Sequence, residues 1–128
     1  MHYVSKIDEM KAQTPEPYEN QSTGFRRAAY VDRGMGSVHM GTGICYLDAR
    51  GVIQPHLHSF EESFYILDGD VILQIADQSY LLSAGHFGLS STGVTHAFRN
   101  AGDAPSRWLE MQAPQPRPIE YGRDTFFV

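Results

Sequence analysis

Two histidines and a glutamate stand close together in the segment QPHLHSFEESFYILDG, residues 54–69. His56 and His58 are two positions apart, and side chains in a β-strand alternate between faces, so both imidazoles are expected on one face with Gln54. A tight corner after His58 would bring Glu62 back over them. Imidazole nitrogens and a carboxylate oxygen are a ligand set for a first-row transition metal, so this segment could supply part of a metal site.

The same segment has an ordinary explanation, because histidines are also common on surfaces and as hydrogen-bonded core residues. A third histidine would complete a four-ligand site with open coordination positions. His96, in VTHAFRN, is the candidate, on a predicted strand where it shares a face with Phe98. Glu61 has the opposite parity from Glu62 and is expected to be a solvated neighbour. The histidines predicted to lie outside the metal set are His2, His39 and His86.

Short β-strands are the elements that would position these residues. From Phe25 onward, runs of β-branched and aromatic residues are separated by Gly, Asp, Asn and Pro, which predicts an all-β antiparallel sandwich or barrel. No long helical period is present, although residues 4–13 could form two turns of helix. The predicted strands are Phe25–Val31, Val38–Leu47, Ile53–His58, Glu62–Leu67, Val71–Ala76, Ser79–Leu82, His86–Leu89, Thr95–Asn100 and Arg107–Gln112.

Length and charge restrict the possible classes of protein. The chain has 128 residues, near the usual size of one domain, and a formal net charge of -5. That charge disfavours nucleic acid and anionic membrane surfaces as partners. Its one cysteine, Cys45, cannot form an internal disulfide and is expected to be a small buried hydrophobe. Without a secretion signal or a membrane-spanning run, the expected location is the cytoplasm.

Three regions differ in composition. Residues 1–23 are polar and rich in proline, and we expect an N-terminal arm. Residues 24–113 would form the β-domain. Residues 114–128 begin with prolines and end in three apolar residues, so this tail is expected to pack on the barrel or on a partner.

The spacing of these residues resembles the two sequence motifs of the cupin superfamily. The first motif, G(X)5HXH(X)3-4E(X)6G, is matched by His56, His58, Glu62 and Gly69, while its opening glycine falls one position late, at Gly51. The second motif, G(X)5PXG(X)2H(X)3N, is matched by Gly85, Gly93, His96 and Asn100, with Ser91 where proline is usual. Two motifs in order with independent spacings are a specific match.

The resemblance implies a double-stranded β-helix, a small jelly-roll barrel of two antiparallel sheets, with the ligands inside its mouth. His56, His58, Glu62 and His96 carry over as ligands of one divalent transition metal: Fe, Mn, Ni, Cu or Zn. Gly69, Gly85 and Gly93 carry over as turn residues, needed where the backbone must take positive φ or pass close to a neighbour, and Asn100 as a structural residue. Cupins commonly pair, so a homodimer is expected.

A substrate pocket beside the metal is expected on the same inner face. Strand parity predicts that it is lined by Gln54, Phe64, Ile66 and Phe98, which suits a small, largely apolar ligand. No second catalytic acid or base is identifiable. The parity of Arg107–Gln112 stays open, and if Glu110 faces inward it is the first candidate for a general base.

Three functions agree with this sequence. The first is a metal-dependent enzyme acting on a small organic substrate, foremost a dioxygenase of a phenolic or diketone compound, with metal-assisted isomerase or cyclase activity as subclasses. The second is a binding module without catalysis, in which the barrel holds a small ligand or the metal is structural. The third is a subunit that only dimerises. The open coordination positions favour the enzyme, since the fold alone does not decide.

Overall fold

The computed structural model describes residues 2–128 and is built from nine antiparallel strands. Across these residues no helix is long and apolar enough to span a membrane. These residues also contain four single turns of 3-10 helix: Glu9–Lys11 and Glu16–Tyr18 precede the first strand, and Arg33–Met35 and Ile119–Tyr121 lie between strands. The strands are β1 Ser22–Val31, β2 Gly41–His58, β3 Glu61–Asp68, β4 Val71–Ile75, β5 Gln78–Leu82, β6 Phe87–Ser90, β7 His96–Arg99, β8 Ser106–Ala113 and β9 Thr125–Phe127.

The strands form one curled, hydrogen-bonded network with two halves. In the first half the order is β1-β2-β8-β3-β6, and in the second it is β9-β2-β7-β4-β5. Residues 41–47 of β2 pair with β8, whereas residues 52–56 pair with β7. β2 therefore belongs to both halves and joins them into a double-stranded β-helix, the predicted fold.

The predicted strands Val38–Leu47 and Ile53–His58 are one continuous strand in the structure. The polar residues between them do not end the strand, because each half keeps its own neighbours on both sides. The chain bends there instead, with Arg50 at a φ of 65°. A Cβ on Gly51 would lie 2.8 Å from the carbonyl oxygen of Asp48, so this tight bend requires glycine.

The apolar core fills the end of the barrel away from the histidines. Trp108 is 1% exposed and its ring stacks on Phe98 with centroids 4.7 Å apart. Cys45 is fully buried there, as the sequence predicts. The other residues that close this end are Leu47, Ile66, Val71, Leu73 and Leu82.

The two ends of the chain lie against the barrel. In the N-terminal segment the predicted helix over residues 4–13 is wrong, since only Glu9–Lys11 forms a turn and Gln13 bridges to Arg27 of β1. Its side chains are mostly exposed, which leaves a longer helix without an apolar face to bury. At the other end, β9 pairs with the last three residues of β2.

Candidate metal centre

The four predicted ligands converge at one end of the barrel. His56 and His58 lie on the same face of β2, and His96 of β7 is the direct cross-strand partner of His56. Glu62 is the second residue of β3, after the corner that follows β2. All four residues are at most 3% exposed. Strand alternation and one cross-strand register therefore place three imidazoles and a carboxylate together.

Distances within the cluster are short. Glu62 Oε2 lies 2.8 Å from His58 Nε2 and 3.4 Å from His96 Nε2. The ring centroids of His56 and His96 are 4.3 Å apart, and those of His56 and His58 are 4.9 Å apart. One ring nitrogen from each histidine lies within 4.8 Å of the other two. A single ion could contact all of them after small side-chain adjustments.

Hydrogen bonds on the far side of each ring orient the imidazoles. His56 Nδ1 lies 2.8 Å from the carbonyl oxygen of Gln54, and His96 Nδ1 lies 2.9 Å from that of Val94. A carbonyl oxygen only accepts, so both Nδ1 atoms carry the proton and both Nε2 atoms present a lone pair. His58 Nδ1 lies 2.9 Å from the Thr125 hydroxyl of β9. These are the outer contacts expected of metal-binding histidines.

The inner atoms of the cluster have no hydrogen-bond partner among residues 2–128. His58 Nε2, His96 Nε2 and Glu62 Oε2 are all buried, and their short contacts with one another lack hydrogen-bond geometry. Buried polar atoms without partners are costly and rare in folded proteins. A divalent transition metal, which accepts imidazole nitrogen and carboxylate oxygen together, fits this donor set.

The electrostatics of the site favour the metal-binding protonation states at two positions. Burial lowers the pKa of His56 to about 3, which keeps this imidazole neutral. Burial would raise the pKa of Glu62, but the contacts from His58 and His96 hold it well below its ordinary value. Burial would lower the pKa of His96, and the adjacent Glu62 carboxylate raises it instead. Glu62 is thus a carboxylate.

The sequence did not decide which side chains of β8 face the interior of the barrel. In the structure Trp108 and Glu110 face inward. Glu110 is a cross-strand neighbour of Phe64, and its side chain is 6% exposed. Arg27 of β1 donates from Nε to Glu110 Oε1 at 2.7 Å. Burial and the negative charge of Glu62 raise the pKa of Glu110 to about 8. A second buried carboxyl therefore lies beside the metal cluster.

Arg27 is a site residue that the sequence prediction missed. It lies two positions after Phe25, which is 3% exposed, so alternation along β1 already placed its side chain on the inner face. That signal was available in FRRAAYV. What the sequence did not contain is its partner, because Glu110 lies 83 positions away.

A cavity opens between the N-terminal segment and the tail. Its volume is about 570 Å³. Apolar walls come from Pro15, Pro17 and Ile119, and its polar floor includes Arg27, Glu110 and Gln112. Tyr18 and Thr125, which also border the cavity, contact His56 and His58 respectively. The cavity therefore reaches the residues that pack directly on the metal cluster.

This cavity is not where the sequence placed the substrate pocket. Gln54 is exposed rather than inward, because an irregularity in the β2–β7 pairing between Ile53 and His56 shifts the alternation. Phe64, Ile66 and Phe98 do face inward but belong to the packed core, and none of them borders the cavity.

The other motif residues, and the histidines predicted to lie outside the metal set, do not join the cluster. Gly69, Gly85 and Gly93 have positive φ, as the resemblance implies. Asn100 donates from Nδ2 to the carbonyl oxygens of Leu47 and Ala104, which is a structural role. Residues that stay exposed and outside the cluster, as predicted, are His2, His39, Glu61 and His86.

Comparison with models of known protein families identifies the family of this chain. The family model of the cupin domain matches residues 43–112, more than half of the chain, and this range contains both motifs. The chain belongs to the cupin family. No curated protein sequence matches this cupin.

Solved structures share the fold of this cupin. The polyketide cyclase RemF from Streptomyces resistomycificus matches with a TM-score of 0.79 at 16% identity, covering 98% of this chain and 86% of its own. A predicted oxalate decarboxylase from Thermotoga maritima matches with a TM-score of 0.75 at 17% identity, over 88% of this chain and 100% of its own. KdgF from Halomonas sp. has a TM-score of 0.70 at 16% identity, over 93% and 99%. Such low identities support the fold alone.

Proposed function

We propose that this cupin is a metal-dependent enzyme of the isomerase or cyclase type that acts on a small carbonyl-containing compound. One divalent ion would be held by His56, His58, Glu62 and His96. The observation that carries the proposal is the group of buried Nε2 and Oε2 atoms that lack hydrogen-bond partners and lie next to a cavity of about 570 Å³. The similarity of fold to a polyketide cyclase agrees with this class of reaction.

The ion and the side chains around it would have different roles in the reaction. A bound ion of this type polarises carbonyl and enol oxygens, and Fe, Mn, Ni or Cu also supports reactions of O2. Glu110 is a second buried carboxyl beside the cluster, and burial raises its pKa, which suits a group that transfers a proton at carbon next to a carbonyl. Phe60, Phe127 and Tyr18 pack on the histidine rings and limit the access of water.

Metal content and turnover together test the proposal. Purified wild-type protein should contain about one transition-metal ion per chain, and His96→Ala should lose it, whereas His39→Ala, at an exposed histidine, should keep it. Conversion of 1,3-diketones should proceed without O2. Turnover only with O2 uptake would establish the dioxygenase alternative, and a wild-type protein without stoichiometric metal would contradict the proposal.

A structural metal is the second candidate function, and the burial of the ligands favours it. The side chains of His58, Glu62 and His96 are only 1–2% exposed, so the ion could be enclosed without open positions. Cobalt-substituted protein separates the two functions. A change in its visible spectrum when azide is added indicates an open coordination position and supports the enzyme, while an unchanged spectrum supports the structural role.

The proposal includes a homodimer. Phe87 and Leu89 of the edge strand β6 are 78% and 54% exposed, and Tyr65 lies opposite Phe87 on β3. An exposed apolar row along an unpaired sheet edge supports association with a second copy. Light scattering should give twice the chain mass, and Phe87→Lys should give the monomer mass. A monomeric wild-type protein at micromolar concentration would contradict it.

A further inference from the structure

The floor of the large cavity contains a polar group built around glycines. Arg27 of β1 reaches across β2 to Glu110 of β8 because Gly43 lies between them without a side chain. A Cβ on Gly43 would lie 2.7 Å from Arg27 Cζ. A Cβ on Gly41 would likewise lie 2.8 Å from the Gln112 Oε1 atom. The two glycines therefore leave space on the inner face for the side chains of Arg27 and Gln112.

Two hydrogen-bond donors of this group have no acceptor within the described residues. Arg27 uses Nε for Glu110 and Nη2 for Gln112 Oε1, at 2.7 and 3.4 Å. Because Gln112 accepts through Oε1, its Nε2 group points elsewhere. Among residues 2–128, none accepts a hydrogen bond from Arg27 Nη1 or from Gln112 Nε2. Both side chains border the cavity, so these donors are available to a ligand there.

The two donors are next to the metal cluster. Gln112 is the direct cross-strand partner of Glu62 in the β3–β8 pair, and both side chains are buried on the inner face. Opposite residues in an antiparallel pair have Cβ atoms about 5 Å apart. Gln112, which lines the cavity, is therefore the direct neighbour of a proposed metal ligand, and Arg27 is hydrogen-bonded to Gln112.

We propose that Arg27 and Gln112 form an oxygen-binding subsite that selects 1,3-dicarbonyl compounds or their enolates. This inference rests on the proposed function, since one oxygen of the ligand would lie at the metal centre and the second would accept hydrogen bonds from Arg27 and Gln112. A guanidinium and an amide N–H suit a carbonyl or enolate oxygen. Pro15, Pro17 and Ile119 suit an apolar, planar remainder of the ligand.

Titration calorimetry with benzoylacetone, a 1,3-diketone, tests the subsite in metal-loaded protein. Arg27→Lys keeps the charge beside Glu110 but removes the planar guanidinium with its separate Nη1 donor, and Gln112→Met keeps the side-chain length without the amide. Each variant should weaken binding at least about tenfold, the loss expected of one charged or well-placed hydrogen bond. The metal content, measured after each titration, should match that of the wild type.

Arg26→Lys is the matched control, because Arg26 directly precedes Arg27 on β1 and faces Tyr46 and Asp48 outside the cavity. Its affinity should stay within about twofold of the wild type. Because Gln112→Met removes no charge, it keeps the test decisive if Arg27→Lys does not fold.

Different experimental results would contradict the subsite and the proposed function. Wild-type affinity in a folded Arg27→Lys or Gln112→Met protein overturns the subsite, and so does a metal-loaded wild type that does not bind benzoylacetone. Either result leaves the metal-dependent enzyme in place. A wild type that contains no stoichiometric metal instead contradicts the proposed function itself.

Discussion

The two ends of this barrel are buried to the same extent but are held together differently. At the closed end Leu47, Ile66 and Trp108 are at most 1% exposed and pack in the apolar cluster, where the Trp108 indole N–H is also buried without a hydrogen-bond partner among the described residues. At the metal end His56 and Glu62 are each 2% exposed, yet the cluster keeps buried polar atoms without hydrogen-bond partners. The closed end is held by apolar packing around a single indole, whereas the metal end brings together several unpaired nitrogen and oxygen atoms that one ion could join.

The metal end also depends on the two terminal segments of the chain. Thr125 of the tail contacts His58, and Tyr18 of the N-terminal segment packs against His56. Polar groups need partners with defined geometry, so a site made from them requires more specific neighbours than an apolar core does. Changes at the two ends should therefore affect different measurements.

Trp108→Ala should have the largest effect on stability. Removing this fully buried ring, which stacks on Phe98, should lower the free energy of unfolding by about 4 kcal/mol through lost apolar contact and the cavity left behind. Urea denaturation of the chelator-treated protein measures the change. A loss below about 1 kcal/mol would show that the closed end is not the main source of stability.

His96→Ala should affect the metal-dependent part of stability. Wild-type protein should gain about 2.7 kcal/mol in free energy of unfolding at a metal concentration one hundred times the Kd, and the variant should gain nothing. The same denaturation experiment with and without added metal gives both values, with His39→Ala as the control at an exposed histidine. An equal metal-dependent gain in His96→Ala would remove this residue from the ligand set.

Thr125→Val should weaken metal binding by about tenfold, because the hydroxyl that holds His58 Nδ1 is lost while the strand pairing of β9 remains. Thr125→Ser keeps the hydroxyl and should bind metal like the wild type. Competition with a chromophoric chelator measures the affinities. If Val and Ser variants bind equally, the tail does not orient His58.

Asp124 should give a small, pH-dependent contribution. Burial alone would raise its pKa, but hydrogen bonds from Arg117 and Ser59 lower it to about 2, from an ordinary value of 3.8. Its stabilisation is therefore fully present above about pH 4 and is lost as the pH falls toward 2. Asp124→Asn should cost about 1 kcal/mol at neutral pH, since Arg117 is half exposed and solvent screens the pair.

Denaturation of both chelator-treated proteins across the pH range checks this contribution. The difference between wild type and Asp124→Asn should shrink at acid pH. A difference that stays constant from pH 7 to pH 2 would show that the carboxylate charge does not stabilise the tail.

The parts of this molecule that follow alternation were predictable from the sequence. Seven of the nine predicted strands coincide with separate observed strands to within about three residues at each end, and two are joined in β2. His56, His58, Glu62 and His96 were found because two motifs fixed their spacing. Gln54 was misplaced because one irregularity between Ile53 and His56 changed the face on which it lies.

Features that depend on distant pairing were not predictable. β9 pairs with residues that lie near position 57, about half the chain away, and no local pattern contains that register. The cavity is formed where the N-terminal segment and the tail meet, so its lining cannot be read from strand parity. For Arg27, strand alternation from Phe25 predicts the face of β1 on which the side chain lies. It does not predict the contact with Glu110.

Anomalous diffraction from crystals of the wild-type protein, recorded at the absorption edge of its main bound metal, would locate the ion. One strong anomalous peak is expected within about 2.0–2.3 Å of the Nε2 atoms of His56, His58 and His96 and of one Glu62 oxygen. Crystals of metal-loaded protein with no peak in this cluster, or with the peak at other residues, would contradict the proposed metal centre.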